Sequence, residues 1–103
     1  EKSSNWTNRF QMFATENMWT FILLDSYNGR LWQVQYSTQD LDNLFCIPIN
    51  KYELVENNER CIFSIQPLTS MYQYYLINDN TGDMWKFQWS TKGDDYRWIE
   101  RFR

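Results

Sequence analysis

The sequence predicts an all-β fold of about eight antiparallel strands, on three observations. Apolar and polar residues alternate over short runs. The runs are rich in aromatic and β-branched residues and are separated by turns carrying Asn, Asp and Gly. The whole pattern is written twice. Met18-Trp19-Thr20-Phe21-Ile22-Leu23-Leu24-Asp25 is answered by Met71-Tyr72-Gln73-Tyr74-Tyr75-Leu76-Ile77-Asn78, and Gly29 and Trp32 recur as Gly82 and Trp85, an offset of 53 residues in both pairs. Without a gap the same offset pairs Phe10 with Phe63, Met12 with Ile65 and Phe45 with Trp98. A fixed internal period of this kind marks one supersecondary unit used twice.

Each copy divides into four runs of strand length. They cover 9–15, 18–25, 30–37 and 44–49 in the first copy, and 62–68, 71–78, 83–90 and 97–102 in the second. No run sustains a helical period. The expected organisation is one domain over 1–103, with repeats 9–49 and 62–102, a polar and acidic connector over 50–61, and a loosely held arm before the first strand. Two four-stranded meanders bury their apolar faces by packing as a sandwich or closing into a barrel. Two propeller-like blades that need oligomerisation to complete a ring form the third arrangement.

Alternation nominates the buried faces. Trp32, Val34 and Tyr36 share one side of their strand, as do Trp85, Phe87 and Trp89 in the second copy. Trp19, Phe21 and Leu23 answer Tyr72, Tyr74 and Leu76. These rows are the expected core of each sheet, with Leu31, Gln33 and Gln35 facing away. Ile22 and Leu24 are apolar on the opposite side as well, which suggests central strands touched on both faces. The hairpins Asp25-Ser26-Tyr27-Asn28-Gly29 and Asn78-Asp79-Asn80-Thr81-Gly82 begin with a side chain able to accept the turn's own amides. They end on a glycine free to take a positive φ.

Composition removes several functions. The 103 residues contain 43% hydrophobic and 22% charged side chains, which sets the chain apart from disordered segments. Histidine is absent, so any mechanism needing an imidazole base or ligand is excluded. Three glycines cannot build a phosphate-cradling loop, and no cofactor is expected. The net charge is −3, and nucleic acid is not an expected partner, since phosphate contacts demand a basic face. The one basic cluster, Arg97, Arg101 and Arg103, reads as the charged guard of an edge strand. The longest apolar run, 21–24, has the length of a strand, so no transmembrane helix is expected. Cys46 and Cys61 read as two buried thiols; a bridge between them is the alternative. The chain begins at Glu1 rather than Met, which fits a cleaved export signal, and the periplasm or cell envelope is the favoured compartment. Asn5-Trp6-Thr7 is formally a glycosylation sequon.

Few residues suggest chemistry. Asn78-Asp79-Asn80-Thr81-Gly82-Asp83 is oxygen-rich but lacks the bidentate Glu of an EF-hand, and reads as a structural turn. Asp40, Asp42, Asp94 and Asp95 lie before the fourth strands. Paired carboxylates there suit a glycosidase, yet adjacent acids in a loop are ordinarily just solvated. Six Trp, seven Tyr and seven Phe remain. Trp19, Phe21, Trp32, Trp85 and Phe87 are expected in the core. Trp6, Tyr27, Tyr52, Tyr75 and Tyr96 fall in loops or on the less apolar faces. Of these Tyr27, Tyr75, Tyr96 and Trp6 are the candidate ligand-binding residues, because an exposed ring offers an apolar face with a polar handle.

The stretch from Asn8-Arg9-Phe10-Gln11-Met12 through Leu23-Leu24-Asp25 to Gly29-Arg30-Leu31-Trp32-Gln33-Val34-Gln35 resembles small bacterial proteins of unknown function with a similar duplicated hairpin. That resemblance covers most of the chain and carries no functional residues across. The glycine turn followed by a Trp-bearing strand also looks like the blades of β-propellers. The expected function is a non-catalytic interaction or binding module, acting as a monomer or homo-oligomer on a protein partner. Carbohydrate binding through exposed rings is the alternative, and a glycosidase-like enzyme using Asp42 and Asp95 is third.

Overall fold

A computed structural model describes residues 8–36, 44–55 and 62–103. Among them are eight strands: β1 (Phe10–Ala14), β2 (Thr20–Asp25), β3 (Arg30–Gln35), β4 (Phe45–Pro48), β5 (Phe63–Pro67), β6 (Gln73–Asn78), β7 (Met84–Gln88) and β8 (Trp98–Arg101). They form two antiparallel sheets, each a simple meander in chain order, β1–β4 and β5–β8. Every strand lies inside the run expected for it. The one addition among the described residues is a single 3-10 turn over Asp94–Tyr96. Neither sheet closes into a barrel.

The duplication extends to individual hydrogen bonds. Gly29 N donates to Asp25 O at 2.9 Å, and Gly82 N to Asn78 O at 2.7 Å. The Asp25 side chain accepts from Tyr27 N, and that of Asn78 from Asn80 N. Gly29 and Gly82 hold φ of 83° and 80°, the left-handed conformation their turns require. Tyr36 N to Trp19 O is matched by Trp89 N to Tyr72 O, both 3.0 Å. Phe10 and Trp32 meet at 51° between ring planes, Phe63 and Trp85 at 52°.

The two sheets nevertheless bury opposite faces. In the second, the core side is the aromatic row: Phe63, Ile65, Tyr74, Leu76, Trp85, Phe87 and Trp89. In the first, the core side is Ile22, Leu24, Leu31 and Gln33, joined by Ile49 beyond β4. Trp32, Val34, Tyr36, Phe21 and Leu23 are only half-buried and Trp19 is exposed, which corrects the expectation that both aromatic rows turn inward. The reason is space. Packed sheets stand about 10 Å apart, and large rings from one side fill that gap when the other side contributes aliphatics. The sheets therefore stack head to tail, front of one against back of the other.

Polar groups fix this stacking. Gln33, fully buried, donates from Nε2 to Ser90 O at 2.9 Å and accepts from Ser90 N at 3.1 Å. Arg97 Nε adds a bond to Gln33 Oε1 at 2.8 Å while its Nη1 reaches Asp94 at 2.6 Å. Arg97 is thus buried between the sheets, a correction to its reading as part of a solvated edge; Arg101 and Arg103 are exposed. At the other end Ser26 O accepts from both Ile62 N and Phe63 N. The described part of the connector is pinned down as well: Asn50, buried, accepts from Leu31 N and donates to Gly29 O. Asp25 is buried against a two-pronged Arg9 contact at 2.9 and 3.0 Å.

Candidate functional site

Among the described residues, nothing covers the front face of the first sheet. Strand pairing sets Met12, Leu23, Trp32 and Pro48 in one row across it and Phe21, Val34 and Cys46 in the next, with Phe10 on the same face of β1 opposite Asp25. The rings form a continuous surface. Trp19 packs edge-on against Tyr36 at 5.3 Å, Phe21 stacks on Tyr36 at 5.9 Å, and Phe10 leans on Trp32 at 6.3 Å. Arg30 lies over the Trp32 ring at 4.9 Å and Arg9 over Phe10 at 5.4 Å, so one end of the face is rimmed by cations. Phe10 and Met12 are 51% and 55% exposed, where their repeat equivalents Phe63 and Ile65 are 2% and 9% exposed. An exposed apolar patch of this kind is a candidate interaction surface.

Cys46 sits at the edge of the same face as a free, exposed thiol, which corrects its reading as a buried one; partial burial still pushes its pKa up. Cys61 lies outside the described residues. The back face of the second sheet is also open. It carries Tyr75, Ile77, Met84, Lys86, Gln88, Trp98 and Glu100, the alternate residues of β6–β8, with Phe102 just beyond.

The ligand-binding candidates nominated from the sequence fall on separate elements. Tyr27 is half-buried in the β2–β3 hairpin, with the Arg9 guanidinium 4.8 Å from its ring centre. Tyr75 lies on the back of the second sheet against Phe102 at 5.7 Å. Tyr96 is exposed in the 3-10 turn, with Lys92 over its ring. Trp6 lies outside the described residues, as do the sequon and Asp40 and Asp42. Tyr96 lines a cleft of about 220 Å³ with Tyr72, Trp89, Ser90 and Lys92. Trp89 is fully buried there, its Nε1 donating to Met71 O, and offers no ring face to a ligand.

Carboxylates are dispersed or engaged. Asp94 is tied to Arg97, and Asp95 stands exposed beside it. Asp83 accepts from Thr81 and Arg101, which hold its carboxyl below the usual aspartate range. Among the described residues, no three His, Cys, Asp or Glu side chains converge on a metal-sized site. No helix there is long and apolar enough to cross a membrane. Alternation alone placed Phe21, Leu23, Trp32 and Val34 in the core. The other face is little different between the copies: Ile22, Leu24, Leu31 and Gln33 in the first answer Tyr75, Ile77, Met84 and Lys86 in the second, so a charge at Lys86 against the neutral Gln33 is the main sequence signal for which back face is buried. No family model, curated protein or solved structure matches the chain.

Proposed function

We propose that this protein is a non-catalytic interaction module that recognises a protein partner through the front face of its first sheet. One observation carries the reading. Residues equivalent under the repeat are buried in the second sheet and open in the first, although both rows have the same ring-rich chemistry. Rings and aliphatics on a flat sheet, without a cleft or convergent acids, suit a protein surface better than a small substrate. Site-specific photo-crosslinking in the native host tests it. A benzoyl-phenylalanine placed at Met12 or Tyr36 is expected to give a protein adduct, and one at Tyr52, 78% exposed in the connector, is not. No adduct from the front face overturns the reading.

Carbohydrate binding is the second reading, supported by the cleft beside Tyr72 and Tyr96. A soluble glycan panel titrated against tryptophan fluorescence addresses it, since Trp89 borders that cleft. A saturable shift lost in Tyr96→Ala supports sugar binding, and no shift with any glycan removes it.

A further inference from the structure

The joint between the two repeats shows what fits the open front face. Within the chain, the back of one repeat (Ile22, Leu24, Leu31 and Gln33) covers the front of the next (Tyr74, Leu76, Trp85 and Phe87). Advanced by one repeat, the back positions become Tyr75, Ile77, Met84 and Lys86, which form the open back of the second sheet. The front positions of the first repeat, Phe21, Leu23, Trp32 and Val34, are open too. Among the described residues, one front and one back are therefore uncovered, the repeat equivalents of the two halves of the joint inside the chain.

We propose that copies of this chain associate head to tail, the back of the second sheet of one seated on the front of the first sheet of its neighbour. This rests on the interaction-module reading and names its partner as a second copy. Ile77 and Met84 offer aliphatic side chains to Trp32, Phe21 and Leu23, as Leu24 and Leu31 do in the core cluster they share with Trp85, Tyr74 and Leu76. Lys86 stands where Gln33 does and faces Glu100 across the β7–β8 pair, so the back face carries its charges in opposite-sign neighbours. A Lys ammonium against exposed rings is itself favourable. Front-to-front pairing would join two copies of the same row, whereas the joint inside the chain sets a front row against a back row. Because the contact joins unlike surfaces, it repeats from copy to copy, closing into a ring or extending as a stack.

The test is the solution mass of the full chain and of charge variants at the two faces. Wild type is expected to be larger than a monomer by light scattering. Leu23→Glu on the front and Ile77→Glu on the back should each reduce it to a monomer with unchanged far-UV circular dichroism. Val34→Glu and Met84→Glu serve if either first variant fails to fold. Mixing one front and one back variant restores a single intact joint and should yield a dimer of twice the chain mass. A wild-type monomer at about 1 mM, where a joint with a Kd of that order would be substantially formed, overturns the proposal. So does an oligomer that the back variants leave intact, which would be front-to-front. In the crosslinking experiment, an adduct to a different protein overturns self-association and leaves the interaction reading standing, whereas no adduct removes both.

Discussion

Gln33 and Ser90, 57 residues apart in sequence, exchange two hydrogen bonds in the middle of the protein, one in each direction. The side-chain amide of Gln33 takes the place a neighbouring strand would occupy, accepting from the Ser90 amide and donating to its carbonyl. The arrangement satisfies a backbone segment just past the end of β7, and it locks the back of one sheet onto the front of the other in a single register. Arg97 completes it from the side.

Gln33→Leu keeps the volume and removes both bonds, leaving the Ser90 amide and carbonyl and the Arg97 guanidinium short of a partner away from water. Each such group costs about 1–3 kcal/mol, so a loss of about 2–4 kcal/mol in urea unfolding is expected. A change below about 0.5 kcal/mol, the size of an ordinary surface substitution, would show that the clasp contributes nothing.

The two hairpin glycines separate backbone strain from crowding. Both have positive φ, and an L-residue there costs about 1–2 kcal/mol. A Cβ at Gly82 meets nothing within 4 Å, whereas at Gly29 it would lie 2.9 Å from Leu54 Cδ1 and 3.1 Å from Phe63 Cε1. Gly82→Ala should therefore show the strain alone. Gly29→Ala should add about 1–3 kcal/mol of overpacking, read as the difference between the two variants in thermal unfolding. Equal losses would mean that Leu54 and Phe63 move aside without cost.

The strands and turns were legible in the sequence because their causes are local. Alternation, ring content and the Asx-to-Gly turns act within a few residues, and the repeat supplied each element twice. Which face is buried was not legible for the first sheet. Trp32 and Val34 on one side and Leu31 on the other are all apolar, and alternation separates faces without ranking them. The choice is made by the neighbouring sheet, through groups such as Gln33, Ser90 and Arg97 whose contact depends on chain segments far apart. Gln33 is a polar residue between apolar ones, so the sequence points it at solvent; only the approach of Ser90 explains its burial. The same is true of the candidate site. Tyr27, Tyr75 and Tyr96 were selected as rings outside the expected core, while the open surface consists of rings assigned to that core.

Asp83 gives a pH dependence with a definite sign. The Thr81 hydroxyl, first, and Arg101 stabilise its charged form, so its native pKa lies below the ordinary aspartate value. Such a group favours the native state fully above the unfolded value of about 4, and that contribution is lost as pH falls through the depressed native value. Carboxyl NMR titration should place Asp83 below the ordinary aspartate value. Thr81→Val and Arg101→Gln should each move it upward, Thr81→Val by more. An Asp83 that titrates alike in all three proteins would contradict these contacts.

Head-to-tail stacking makes its sharpest claim about two leucines that the repeat makes equivalent. Leu23 and Leu76 stand 53 residues apart, each in the second strand of its meander, each opposite a tryptophan, Trp32 and Trp85. Leu76 is fully buried and Leu23 half-buried. On the back faces the order reverses: Leu24 is fully buried and its equivalent Ile77 half-buried. Truncating a fully buried Leu costs about 2–5 kcal/mol, through lost transfer energy and the cavity left behind. Leu76→Ala and Leu24→Ala should fall in that range in dilute protein, and Leu23→Ala and Ile77→Ala at about half of it or less. Packing through like faces would instead make Leu23 as costly as Leu76 and leave Leu24 as tolerant as Ile77. Four variants and one denaturation curve each therefore decide between the two stackings. Repeating the curves at high protein concentration adds the assembly, because Leu23 and Ile77 then become buried and their truncations should grow more costly while Leu76 and Leu24 stay the same.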